Sequence, residues 1–341
     1  MSVGYVYDLV YLQHDMGDHP ENPTRLKHTM QHLQDIGLLD ALVAIPARAA
    51  TPRDVSRVHA PILIEQVRQL AELGGGALDG DTRVGPGSYT AALYAAGGMM
   101  AATEAVLQGE VESAFALVRP PGHHATRTRG MGFCLFNNVA IAARWAMASR
   151  SIERIAIIDF DVHHGNGTAE AFEADPRVLY VSTHQYPYYP FTGEWRDKGR
   201  GPGEGTCLNI PLPGNTGDAG YRQAFELLVV PKVRRFQPEL ILASAGYDGH
   251  WSDPLAWMLL SVDGYHYIAE TLVRLARELC QGRLVMALEG GYNLDALAHG
   301  VATTLSAMLD RPYADPLGPA AEPERPVEDI LHSVARWHDL E

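Results

Sequence analysis

The chain has 341 residues, of which 46% are hydrophobic and 20% charged, and its formal net charge is −14. That composition suits a soluble globular protein with one large core, and the acidic balance argues against a general nucleic-acid binder, which usually carries a basic patch or stripe. Three scattered cysteines without a CxxC argue against a disulfide framework or a thiolate zinc site, so any metal must be held by nitrogen and oxygen. No apolar run reaches about 18 residues and the N-terminus has no signal-peptide pattern, so the expectation is a cytoplasmic protein without a membrane partner.

In chain order, "VGYVY" (3–7) reads as a first strand. "PTRLKHTMQHLQDIG" reads as a helix with Asn22 as N-cap, Pro23 at its first position and Gly37 as its stop. The stretch 90–109 is small and apolar enough to lie against a sheet. Further strands are expected at 113–118, 154–160, 178–184, 206–212, 240–246 and 284–291. Most are apolar throughout, as strands covered on both faces are, whereas "TCLNIPL" (206–212) is less so and belongs nearer an edge. Helical stretches follow at 218–236, which Pro231 should kink, and at 263–282 and 293–309. "DRPYADPLGPAAEPERP" (310–326) is a Pro-rich connector to a short terminal helix. The alternation predicts one three-layer α/β domain with a central, mostly parallel sheet. Three long loops, 119–133, 185–205 and 246–256, each follow a strand, where ligands of open α/β sheets bind.

The chemistry gathers at those strand ends. In "DFDVHH", Asp159, Asp161 and His163 fall at i, i+2 and i+4 and share one face of an extended chain. One such Asp is ordinarily a loop-amide acceptor, but buried carboxylates without a basic neighbour need a counter-charge, which a divalent ion supplies. Tandem His123 and His124 follow a Pro-Pro-Gly turn, and imidazoles suit general acid–base work. In "SAGYDGHWSDPL", either Asp248 or Asp253 can complete a metal site. In "LEGGYNL", Tyr292 is either a packed aromatic or an oxyanion donor. Together these are the parts of a mononuclear metal hydrolase with an open coordination position. No GxSxG elbow is present, and neither "GNG" (165–167) nor "LGGGALDGD" (73–81) fits a nucleotide loop.

"RPPGHHA", "GFCLFNN", "DFDVHHGNGT", "SAGYD" with "SDPL", and "LEGGYNL" resemble, in order, the core motifs of the histone deacetylase family. The asparagine of "HHGNG" and the "EGGYNL" form look like the class II branch and its bacterial histone deacetylase-like amidohydrolases. The resemblance covers roughly residues 1–310 as a catalytic domain, with 311–341 as connector and helix packed on it. It implies the arginase–deacetylase α/β fold with about eight strands and zinc-dependent hydrolysis of acetyl-lysine. Carried over, it makes Asp161, His163 and Asp253 the ligands of one zinc ion, favouring Asp253 over Asp248. It makes His124 the base, His123 its electrostatic partner and Tyr292 the oxyanion donor. Asp159 would orient His123, and Asn166 would orient His124. Gly132, Phe133, Tyr189, Leu255 and Gly291 would line a substrate tunnel, although most relatives have Phe at the Tyr189 position. Arg25 would sit near the inner cavity where acetate leaves. A structural potassium ion would involve Asp159, Ser182 and Thr183.

Three rivals remain. Arginase-like ureohydrolases bind two metals through a D-x-H-x-D run, and here the last position is Gly165. Acetylpolyamine amidohydrolases share the zinc chemistry, but an acidic gatekeeper follows their Asp-Pro where this chain has Leu255. A non-catalytic acyl-lysine binding module should have lost a ligand, a histidine or the tyrosine. The partner is thus expected to be an acetylated lysine peptide or an acetylated polyamine. The loop 185–205 offers either a tunnel rim or a surface for a homo-oligomer.

Overall fold

A computed structural model describes residues 2–150 and 152–341. Eight strands form the central sheet: β1 (Val3–Val6), β2 (Val43–Ala44), β3 (Ser113–Ala116), β4 (Ile155–Asp159), β5 (Val178–Gln185), β6 (Cys207–Leu212), β7 (Leu240–Ala245) and β8 (Leu284–Leu288). Their order is β2-β1-β3-β8-β7-β4-β5-β6, and every pairing is parallel. The expected three-layer α/β fold is therefore present. The seven strands expected from apolar runs form within a residue or two at most ends. The eighth, β2, is two exposed residues at the edge, too short to leave a sequence pattern.

All residues of β3, β4, β5, β6, β7 and β8 are buried, which is why these strands read as continuous apolar runs. "TCLNIPL" does take the edge position as β6. It is still buried because the C-terminal helix Glu328–Trp337 packs against it. The helices gather in two groups. One contains Thr24–Asp35, Val262–Cys280 and Leu294–Met308 packed together; the other pairs Ser88–Gln108 with Asn138–Ser149. Pro231 does not break its helix. A single π turn, Phe225–Val229, precedes it and widens the helix where proline offers no amide hydrogen. Among the described residues no helix is long and apolar enough to cross a membrane.

Parallel strands align their carboxyl ends on one edge. Asp159 ends β4, and its register partners are Ser182 of β5 and Ser244 of β7. Glu289 follows β8, and the loops after β3, β4, β5, β7 and β8 all open on this edge. The sheet therefore brings together residues up to 170 positions apart before any side chain is placed.

Candidate active site

A cavity of about 240 Å³ opens at this edge, lined by Asp81, Pro121, His123, His124, Gly132, Phe133, Asp161, His163, Tyr188, Tyr189, Leu255, Gly290 and Tyr292. On one side, ligand atoms of Asp161, His163 and Asp248 lie within 4.8 Å of one another. His163 Nδ1 is 3.1 Å from Asp161 Oδ1 and 3.1 Å from Asp248 Oδ2. Those edges suit a four-coordinate zinc with bonds of about 2.0–2.1 Å. Charge argues for a cation too. Asp159, Asp161, Asp248, Asp253 and Glu289 are all buried around the site. Burial lifts the Asp253 and Glu289 carboxyls to about 7, so the protein alone leaves this acidity undercompensated. A mixed oxygen and nitrogen donor set, with Asp161 and His163 facing the cavity, fits zinc.

The expected third ligand, Asp253, is not part of this group. Asp253 Oδ1 accepts from the Leu255 amide at 2.9 Å, and Oδ2 accepts from the Tyr292 and Asn293 amides at 2.6 and 3.0 Å. Asp248 joins the group because it follows β7 beside the end of β4, where its Oδ1 accepts from Val162 N at 3.1 Å. Residue spacing kept both aspartates in play, and the resemblance favoured Asp253. Asp253 also anchors the backbone that carries Tyr292.

The other side of the cavity holds the tandem histidines, with ring centroids 4.0 Å apart. His123 Nδ1 donates to Asp159 Oδ2 at 3.1 Å, and His124 Nδ1 donates to Asn166 Oδ1 at 2.8 Å. Burial opposes charge on His123, but Asp159, Asp161 and Glu289 outweigh it and hold its pKa well above the ordinary value. Burial drives His124 the other way, aided by the neighbouring charges of His123 and His163. The pair thus separates into a cationic and a neutral imidazole. Tyr292 faces them, its ring 5.8 Å from Phe133 and 5.0 Å from the Arg25 guanidinium. Burial raises its phenol well above the ordinary value, so it stays protonated and able to donate.

Gly132, Phe133, Tyr189 and Leu255 all line the cavity. Gly132 has φ +54°, and a Cβ there would lie 2.4 Å from the His124 ring, so only glycine fits. Gly291 lies just behind the wall, where its carbonyl accepts from Arg25 Nε at 2.6 Å. Gly165 has no room for a second-metal carboxylate, because a Cβ there would stand 2.1 Å from Asp159 Oδ2. His164 turns away, its Nδ1 2.8 Å from Thr192 Oγ1. Ser182 Oγ pairs with His184 Nδ1 at 2.9 Å, and Thr183 Oγ1 is buried without a hydrogen bond.

Four residues went unread in the sequence. Tyr188 stacks on His163, with centroids 5.8 Å apart and planes at 24°. Asp81 reaches the cavity from the loop 78–82. Glu21 and Glu289 are buried behind the walls. An acid that ends the apolar run "LVMALE" was a visible signal for Glu289; the others sit in polar or aromatic loops with nothing to single them out.

Residues 19–308 match the histone deacetylase domain. The chain is 41% identical over 337 residues to a "Probable deacetylase" of Archaeoglobus fulgidus, covering 97% of this chain and 92% of that one. It is 40% identical over 278 residues to a "Histone deacetylase-like amidohydrolase" of Pseudomonas aeruginosa, covering 81% and 73%. The crystal structure of the HDA15 HD domain superposes with a TM-score of 0.91 at 33% identity, covering 99% of this chain and 94% of that one.

Proposed function

This chain belongs to the histone deacetylase family, and from that premise we propose that it hydrolyses the acetyl amide of N-acetyl-lysine side chains, with one zinc ion held by Asp161, His163 and one aspartate of the loop after β7, Asp253 by the family resemblance or Asp248 by its proximity to His163. The observation that carries this reading is the convergence of Asp161 and His163 with His123, His124 and Tyr292 on one cavity. When bound, zinc supplies a Lewis acid that polarises the acetyl carbonyl and acidifies a water.

The remaining roles fall to side chains. Because His124 Nδ1–H is engaged by Asn166, its Nε2 lone pair is free. His124 therefore takes the water proton and delivers it to the departing amine. His123 stays cationic against Asp159 and stabilises the negative charge that develops beside it. Tyr292 donates its phenol hydrogen to the oxygen that becomes anionic. Phe133 and Tyr189 admit a linear alkyl chain and exclude branched ones. Arg25 marks the inner end, where acetate leaves. Asp159, Ser182 and Thr183 hold a structural potassium ion beneath the zinc site, and this catalytic unit spans 1–310.

Leu255 in the cavity lining favours acyl-lysine over polyamine, since it offers no charge to a distal ammonium. The test is a side-by-side screen of zinc-loaded protein against acetyl-lysine peptides and acetylated putrescine and cadaverine. Peptide turnover with the higher kcat/KM is expected; a large polyamine preference would reject the substrate assignment.

A further inference from the structure

We propose that two buried carboxylates, Glu21 and Glu289, are positioning residues that brace the His123–His124 loop and the Tyr292 loop against each other. The proposal rests on the catalytic roles given to those loops above. Both glutamates are fully buried, and neither lines the cavity. Burying a carboxylate is costly unless its oxygens are paired, and here the pairs select the two catalytic loops.

Glu289 holds the histidine loop. Its Oε2 accepts from Gly122 N at 2.6 Å and from His123 N at 3.2 Å, while Oε1 accepts from Ser244 Oγ at 3.1 Å. The carboxylate extends from the end of β8 across to the loop after β3 and fixes the backbone immediately before and at His123. Glu21 holds both loops through two guanidiniums. Arg25 Nη1 donates to Glu21 Oε1 at 2.9 Å, and Arg119 Nη2 donates to Glu21 Oε2 at 2.7 Å. Arg119 begins the run that leads through Pro120, Pro121 and Gly122 to His123. Arg25 in turn donates from Nη2 to the Glu289 carbonyl and from Nε to the Gly291 carbonyl, both at 2.6 Å. It therefore grips the backbone on both sides of Gly290 and stands over the Tyr292 ring. The path from Tyr292 to His123 runs through hydrogen bonds to carboxylates or guanidiniums at every crossing between chain segments. Displacing either glutamate shifts the histidines relative to the phenol.

Three variants test the brace. Glu289→Gln can keep the pattern: its amide oxygen accepts from Gly122 and His123 while its NH₂ donates to Ser244 Oγ. Glu289→Met has nearly the same shape but accepts nothing. Glu21→Gln removes the charge shared by two guanidiniums. Misplacing catalytic groups by about 1 Å can cost about 100-fold. We expect that loss in kcat for Glu289→Met and Glu21→Gln, with KM and zinc content near wild type, and near-wild-type kcat for Glu289→Gln. Hydrogen–deuterium exchange gives a readout apart from activity. Segment 119–124 should exchange faster in Glu289→Met but not in Glu289→Gln, and segment 289–293 faster in Glu21→Gln. Wild-type kcat in Glu289→Met, or equal losses in Glu289→Gln and Glu289→Met, would overturn the proposal, as would unchanged exchange in all three. If zinc-loaded wild type hydrolyses no acetyl amide, the deacetylase reading fails, and the exchange pattern still decides whether the brace exists.

Discussion

The two walls of the cavity are built differently. The wall proposed to hold the metal comes from adjacent strand ends, where Asp161 and His163 after β4 meet Asp248 after β7 at hydrogen-bond distance from His163. The wall proposed for proton transfer comes from loops after β3 and β8, which meet through the Phe133–Tyr292 ring contact and are tied by hydrogen bonds through Glu21, Glu289, Arg25 and Arg119. Strand register alone places the first wall within hydrogen-bond distances. The second needs a buried ionic scaffold, because loops carry no ladder of their own. Loss of a ligand should therefore remove metal and activity together, whereas loss of a group on the other wall should remove activity and spare the metal.

The largest expected effect is loss of the third ligand: of Asp248→Ala and Asp253→Ala, the variant that removes it should take zinc content by metal analysis and turnover both to background. The other variant should retain zinc; Asp253→Ala loses rate in either case through Tyr292, whose amide it holds, and zinc retained in both variants would exclude this loop as the source of a ligand. Next come His124→Ala, expected to lose about 10²–10⁴ in kcat, and Tyr292→Phe, expected to lose about 10²–10³, both with full zinc. Asn166→Ala should cost about 10–100-fold, as removal of an outer-shell partner typically does, because His124 loses the acceptor that sets its tautomer. Leu255→Glu should move kcat/KM toward acetylated polyamines by about fivefold, the worth of a partly exposed ion pair of about 1 kcal/mol.

The smallest effect concerns neither wall directly. His59 clamps the histidine loop from outside, donating from Nδ1 to the Thr126 carbonyl and accepting at Nε2 from Asn137 N, each at 2.8 Å. Burial lowers its pKa to about 4 from 6.5. The unfolded chain therefore takes up a proton first as pH falls. The stability from neutral His59 is intact above about pH 6.5 and is lost as pH falls toward about 4, at roughly 1 kcal/mol between pH 6.5 and 5.5. Urea unfolding at both pH values should show a flatter dependence in His59→Asn than in wild type. An equal slope would show that His59 does not contribute.

Legibility followed the same division. The apolar strands were readable because a sheet covered on both faces leaves continuous runs, and β2 was not because two edge residues leave no run. Asp161 and His163 were readable because an extended strand end repeats every second residue. Asp248 against Asp253 was not, since both follow β7 and only packing decides which oxygen faces the metal group and which faces backbone amides. Pro231 gave a correct local warning, but a π turn absorbed it.

By itself the sequence determined the parallel α/β sheet, its apolar core and the strand ends where the candidate groups gather. These are local properties of periodicity, side-chain type and spacing. Only the tertiary structure decided which aspartate joins Asp161 and His163, and how two loops without a shared ladder are held in register. Both are contacts between residues some 85 to 270 positions apart in the chain, and their energies depend on burial that no local pattern encodes.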